Sequence, residues 1–217
     1  MIKNKKILCI IPAKSYSKRL PNKNIKIFNG KPLFYNSLTQ AKKSKYIDEV
    51  IISTDSLFIK NYLKKRKHII PFMRPKKFSG SKTKSETVIN HVLSKINSQL
   101  FDSIILLQPT SPLRTTKIID KFIEYFYAIN SDSLISVNKP SINDKNLVLS
   151  NKNLKLKNFI NPNNKKIISL NKNLFNINGM VYCLKVEFFK KYKKIYDINS
   201  DIKSIPSWRS IDIDTYD

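Results

Sequence analysis

Apolar residues along this chain fall into two rhythms that take turns. Short apolar runs lie within residues 7–11, 49–53, 103–107 and 133–137. Ile104-Ile105-Leu106-Leu107 and Val50-Ile51-Ile52 are apolar at successive positions, so both of their faces would be buried, as in central strands of a parallel sheet. Between the runs, residues 32–43, 57–66, 84–97 and 116–127 carry apolar positions three and four apart, the spacing of one helix face. Ser85 and Glu86 fall in the first turn of the third of these helices. Strands alternating with helices predict βαβ units around a mostly parallel sheet, an α/β class. Ligands of such sheets bind beyond the carboxyl ends of the strands. Here those ends are residues 12–24, Ser53-Thr54-Asp55 and Gln108-Pro109-Thr110.

Residues 138–176 interrupt the pattern. They are rich in Asn and Lys with short apolar pieces, and are expected to form an inserted arm or a long loop on a single domain spanning 1–217. Asn178-Gly179-Met180-Val181-Tyr182 reads as a turn into a strand. Near the end, Ile211-Asp212-Ile213-Asp214-Thr215 spaces two acids by one residue. On a strand, both would face the same side.

Composition narrows the classes. With 41% hydrophobic residues in 217, the chain can bury a full core and is not a disordered segment. No window is long and apolar enough to span a bilayer. Residues 1–6 resemble the charged start of a signal peptide. The apolar run behind them is short and leads into Pro12, so it reads as a strand, with cytoplasmic location and no membrane insertion as the expectation. The formal charge of +26 would attract nucleotides and acidic sugars. Its lysines are scattered, with no arginine-rich tail, so it reads as compositional bias and no nucleic-acid partner is expected. A basic nucleic-acid-binding protein stays as the remote alternative. Cys9 and Cys183 sit in apolar runs without metal spacing and read as buried free thiols. His68 and His91 read as structural or surface residues, and Asp55 as a cap of the helix that follows it.

The chemistry concentrates in the loop that leaves the first strand, Pro12-Ala13-Lys14-Ser15-Tyr16-Ser17-Lys18-Arg19-Leu20-Pro21-Asn22-Lys23-Asn24. A buried strand opening into a cationic loop suits a polyphosphate, although neither a Walker A nor a Gly-x-Gly-x-x-Gly pattern is present. Cations for phosphate and a carboxylate pair for a divalent metal together suggest phosphoryl or nucleotidyl transfer.

The loop resembles the N-terminal signature of the CMP-sialic acid synthetases (acylneuraminate cytidylyltransferases). Later blocks of that family follow in the same order: Asn29-Gly30-Lys31-Pro32-Leu33, Val50-Ile51-Ile52-Ser53-Thr54-Asp55, Arg74-Pro75, Gln108-Pro109-Thr110-Ser111-Pro112-Leu113-Arg114, Asn178-Gly179 and Ile211-Asp212-Ile213-Asp214-Thr215. The resemblance implies a three-layer, Rossmann-like nucleotidyltransferase fold with a small inserted arm at about 138–176 that serves a homodimer. It implies an enzyme that joins CTP to a nine-carbon 2-keto-3-deoxy sugar acid with release of pyrophosphate. Lys14, Lys23, Asp212 and Asp214 would be catalytic. Pro12, Ala13, Lys14, Ser17, Lys23, Asn24, Arg74 and Ser85 would hold the nucleotide, and Gln108, Thr110, Asn178 and Gly179 the sugar acid. Asp212 and Asp214 would bind Mg2+ (or Mn2+). Sialic and legionaminic acids lead. Pseudaminic acid ranks lower because its transferases tend to lack the block at 108–114, and the eight-carbon Kdo acid stays open.

Four features depart from the family pattern, one of them Ser81, which stands where an acidic residue is often found before the Ser85 helix. Lys14 stands where arginine is usual, and Ser15 and Tyr16 replace two glycines. Asn176 occupies a position where arginine is common, with Lys165, Lys166 and Lys172 nearby to compensate. These departures keep a catalytically degenerate nucleotide- or sugar-binding homologue as the alternative.

Overall fold

A computed structural model describes residues 2, 4–68, 70–141, 144, 146–161 and 173–214. Lys165, Lys166, Lys172 and Thr215 lie outside the described residues. The apolar runs become β1 (Ile7–Pro12), β4 (Glu49–Ser53), β5 (Ser103–Leu106) and β6 (Ser133–Asn138). A two-residue ladder of β2 (Ile27–Phe28) and β3 (Lys31–Pro32) turns at Asn29 and Gly30, both with positive φ (48° and 74°). That is the Asn-Gly hairpin chemistry. The helices are α1 (Leu33–Lys42), α2 (Leu57–Lys64), α3 (Ser85–Leu93), α4 (Thr116–Ala128) and α5 (Val186–Tyr192).

The main sheet runs β10-β6-β9-β5-β1-β4, with β9 (Leu174–Lys185) and β10 (Asp201–Ser204) completing that order. β1 is parallel to both β4 and β5, and β6 is parallel to β10. β9 is antiparallel to both β5 and β6. Alternate residues of β1 feed the two sides of the sheet. Leu8 and Ile10 join α3 and α5 in one core, whereas Ile7, Cys9 and Ile11 join α1, α2 and α4 in the other. The result is three layers, helix on sheet on helix. Each fully buried aliphatic side chain contributes about 1.5–3 kcal/mol, so this central strand anchors both cores. No helix among the described residues is long and apolar enough to cross a membrane.

Several expectations shift in detail. The segment 178–182 is not a turn into a strand; it lies inside the twelve-residue β9. The ladder between β6 and β9 slips register there, and Gly179 takes φ +70°, so the glycine serves a bulge within a continuing strand. Residues 147–160 form a hairpin of β7 (Leu147–Ser150) and β8 (Leu156–Ile160), and β7 pairs with β9 to extend the main sheet. The helix expected over 84–97 stops at Leu93, and a short turn from Ser98 to Leu100 leads into β5. Asp212 and Asp214 are not on a strand but on an irregular strap after β10. The strap is pinned by Ile213 N–H donating to the Thr110 carbonyl at 2.8 Å.

The two thiols are both buried. Cys9 and Cys183 each pair with Ile105 from opposite sides, so a whole strand separates them. Burial pushes the Cys9 thiol up to about 12 against the opposing charge of Arg114. Burial and then Cys9 push Cys183 up as well. Neither is expected to react with a thiol reagent in the folded protein at mildly alkaline pH, and both should react after denaturation. Rapid labelling of the native protein would contradict this packing.

Candidate active site

The parallel strands β1, β4 and β5 end on one edge of the molecule, and most of the candidate side chains gather there. The loop after β1 starts from a fixed point. Ala13 N–H donates to the Ser53 carbonyl at 2.9 Å, and the Ala13 side chain is buried in the core. The loop returns through Leu20, which is 2% exposed, and through Asn22 in the left-handed region (φ 57°). Asn24 closes it, its Nδ2 donating to the Lys14 carbonyl at 2.8 Å. Neither Ser15 nor Tyr16 has positive φ, so this path does not demand glycine there.

Asp55 takes over the anchoring. Its carboxylate accepts from Ser15 N–H at 2.8 Å and from Ser15 Oγ at 2.5 Å. The expected cap role falls to Ser56, whose Oγ accepts from Ile59 N–H at the start of α2. One residue of displacement turns Asp55 from the helix toward the loop. Arg74 sits behind it, 4% exposed, with Nη2 at 3.8 Å from Asp55 and Nε donating to Ser79 Oγ at 3.1 Å. Arg74 Nη2 and Asn24 Oδ1 are buried without a hydrogen-bond partner among the described residues. Unpartnered buried groups of this kind are uncommon and ask for a ligand or water.

Two cavities open side by side on this edge. The first, about 310 Å³, is lined by Pro12, Lys14, Lys23, Asn24, Arg74, Ser85 and Thr110 among others. The second, about 730 Å³, is lined by Asn138, Lys139, Asn178, Gly179, Tyr182 and Ser210 among others. Arg19, Gln108, Asp212 and Asp214 line both. The acid pair therefore stands at the boundary between them.

The electrostatics of that boundary are set by neighbours. Asp214 forms ion pairs with Lys23 and with Arg19, the latter at 2.5 Å. Burial raises the Asp212 carboxyl above the ordinary range, the Thr110 hydroxyl opposes that, and the Asp214 charge adds to it. Burial lowers Lys14 below the ordinary lysine value, and the charges of Lys23 and Arg74 lower it further. Cations crowd around a cavity that holds one acid pair, an arrangement suited to a multiply charged anion. No group of three His, Cys, Asp or Glu side chains gathers for a metal among the described residues. Two carboxylates suffice for an ion that takes its other ligands from phosphate and water.

Most of the expected site residues converge here, and two do not. Ala13 lies beneath the loop in the core, and Ser17, 8% exposed, supports it from within. Neither is among the residues lining the cavities. Asn178 shapes the second cavity through backbone and neighbours: its Oδ1 accepts from Ser136 Oγ at 2.6 Å and from Met180 N–H at 3.1 Å. Its Nδ2 donates to Ser210 Oγ at 3.0 Å, tying β9 to the strap that carries the acid pair. Sequence reasoning missed Arg19 as the partner of Asp214, although it lay in the cationic loop, and missed Asp55 as the loop anchor.

Comparison with known proteins matches residues 8–203 to a family model described as cytidylyltransferase. The chain is 32% identical over 139 residues to a CMP-N,N'-diacetyllegionaminic acid synthase of Legionella pneumophila, covering 63% of this chain and 60% of that one. It is 36% identical over 133 residues to a pseudaminic acid cytidylyltransferase of Campylobacter jejuni, covering 60% and 57%. The matched segment thus spans less than two thirds of either relative. The two relatives are named for different sugar acids, and their identities to this chain are close. Among solved structures, a CMP:2-keto-3-deoxy-manno-octonic acid synthetase complexed with CTP superposes with TM-score 0.77 at 15% identity, covering 97% of this chain and 93% of that one. That likeness establishes the nucleotidyltransferase fold.

Proposed function

The chain belongs to the cytidylyltransferase family, and from that premise we propose that it transfers the CMP moiety of CTP to a nine-carbon 2-keto-3-deoxy sugar acid. The observation that carries the reading is the shared wall. Asp212, Asp214, Arg19 and Gln108 border both cavities, so the α-phosphorus of a nucleotide in the first would meet a hydroxyl of a sugar in the second. Reactants held in contact gain most of the advantage of an intramolecular reaction.

The roles follow from the side chains. Lys14 and Lys23 neutralise the triphosphate and the charge that grows on departing pyrophosphate. Asn24 and Arg74, with their unpartnered polar atoms, and Ser85 at the head of α3 hold the cytidine. Gln108 and Thr110, with the Asn178-Gly179 bulge, shape the sugar side. When triphosphate enters, Lys23 and Arg19 exchange Asp214 for phosphate oxygens, which frees the carboxylate. Asp214, with Asp212 beside it, would hold Mg2+ (or Mn2+), which when bound would neutralise phosphate charge. Asp212, on the wall shared by the two cavities, would accept the proton of the attacking anomeric hydroxyl through a carboxylate oxygen that the ion leaves open. A cytoplasmic site of action and a homodimer joined through β7 and β8 belong to the same proposal. Among the described residues β8 pairs with β7 alone, and its Phe159 is 55% exposed.

The test is incubation with CTP and Mg2+ against sialic, legionaminic, pseudaminic and Kdo acids, with products identified by mass. A CMP ester of one acid supports the reading and names the substrate. Binding of CTP by folded protein with no ester from any acid overturns it in favour of a degenerate binding homologue.

The lowered pKa of Lys14 sets a further expectation. Its charge favours triphosphate, so CTP affinity should be full at neutral pH and fall as pH rises through that lowered value. Lys14→Arg stays charged throughout this range. It is expected to bind CTP within about threefold of the wild type at neutral pH and to lose less affinity on the alkaline side. Calorimetric titration at the two pH values checks this, and equal alkaline losses in both proteins would contradict it.

A further inference from the structure

Arg114 is 1% exposed and heads the large fully buried side chains among the described residues. Its guanidinium is met by neutral oxygens on separate parts of the fold. Nη1 donates to the Met180 carbonyl in β9 at 2.7 Å. Nη2 donates to the Gln108 carbonyl at 2.8 Å and to the Ser37 hydroxyl on α1. Its Nε has no partner among the described residues. A buried cation answered only by neutral acceptors is destabilising in itself, and an apolar side chain would fill the same space. What an apolar side chain cannot do is hold two carbonyls from neighbouring strands in one rigid planar fork.

Those two carbonyls stand on a residue that lines both cavities and on the neighbour of Gly179, which lines the second. Gln108 follows β5 and lines both cavities. Met180 follows Gly179, and its N–H is held by Asn178 while its carbonyl is held by Arg114. Gln108 Oε1 lies only 2.6 Å from where a Cβ on residue 179 would stand. The Gln108 side chain and the Gly179 bulge are therefore in close register, and Arg114 grips the backbone of both partners.

We infer that Arg114 is a positioning residue for the sugar-acid half of the site, acting through Gln108 and the bulge at Gly179. The identity of the ligand rests on the function proposed above, whereas the clamp rests on the distances alone.

The experiment compares Arg114→Lys with the wild type, alone and in a Gln108→Ala background. Lysine keeps the charge but offers a point donor in place of the fork. The expected result is a KM for the sugar acid raised about tenfold, with the KM for CTP within about twofold. In the Gln108→Ala background the same change should add less, because the side chain that the clamp aims is gone and only the bulge is left for it to hold. In the protein without substrates, the Met180 and Val181 amides should exchange about tenfold faster while those of Cys9 and Ile10 keep their rates. Equal rises in both KM values, an undiminished effect in the Gln108→Ala background, or unchanged exchange at Met180 would each overturn the inference. If Arg114→Lys does not fold, Ser37→Ala removes one acceptor and leaves the guanidinium in place. The same asymmetry is then expected at about threefold, and its absence overturns the inference. A wild type without turnover would defeat the functional reading alone, and the exchange comparison would still decide the clamp.

Discussion

Asp214→Ala is expected to lower kcat by about a thousandfold or more, a loss of roughly 4 kcal/mol of transition-state stabilisation. The side chain stands at the boundary of the two cavities, where it would hold the divalent ion against the phosphates. Its removal has an opposite effect on simple binding. Lys23 and Arg19 are tied to Asp214 in the free protein, and both would be released toward phosphate. CTP binding measured without metal should therefore be unchanged or tighter, by up to about threefold. This split, with turnover lost and metal-free binding kept, separates a catalytic role from a folding defect. Full metal-dependent turnover in the variant would remove Asp214 from the mechanism.

Gly179→Ala should do its damage on the other side of the boundary. The backbone at Gly179 has φ +70°, and a Cβ there would stand 2.6 Å from Gln108 Oε1 and 3.2 Å from Gln108 Cδ. The left-handed conformation costs a non-glycine residue about 1–2 kcal/mol, which in a domain of this size lowers Tm by about 2–4 °C per kcal/mol. The larger consequence is functional. The Gln108 carboxamide is the flexible partner, so it is the group that must move, out of the wall of both cavities. The KM for the sugar acid is expected to rise at least about tenfold, with the KM for CTP nearly constant. In a Gln108→Ala background the overlap disappears and only the backbone strain should remain. An equal effect in both backgrounds would show that the bulge, and not Gln108, carries the loss.

Both predictions draw on residues legible before any coordinates. Asp212 and Asp214 suggest metal chemistry by residue type and spacing, whereas Gln108 and Gly179 stand out through the resemblance of their blocks to a family, and the strand before Gln108 is apolar on both faces. Legibility failed where a role depends on distant partners. Asp55 looks like a helix cap because Ser15, forty positions away, is invisible locally. Arg114 ends a recognisable block, yet its work is on Met180 and Ser37. The direction of β9 was also hidden. Its apolar run is as strand-like as the others, but the glycine inside it reads as a turn, and nothing local marks a bulge. The hairpin of β7 and β8 alternates weakly among Asn and Lys, so its pairing is decided by β9 and not by its own pattern. The two acids line the same cavities, but not through the strand alternation expected of them. The strap is irregular, and its hydrogen bond to Thr110 and the tie from Asn178 to Ser210 turn it inward.

The measurement that tests the central claim most directly follows one oxygen atom. The sugar acid is supplied with heavy oxygen in its anomeric hydroxyl, and the reaction with CTP and Mg2+ is watched by phosphorus NMR. The account predicts a new phosphodiester signal carrying the isotope shift, in step with pyrophosphate, because the sugar oxygen in the larger cavity attacks the α-phosphorus in the smaller. Pyrophosphate released with CMP that carries no label, or no diester at all from folded protein that binds both ligands, would contradict it.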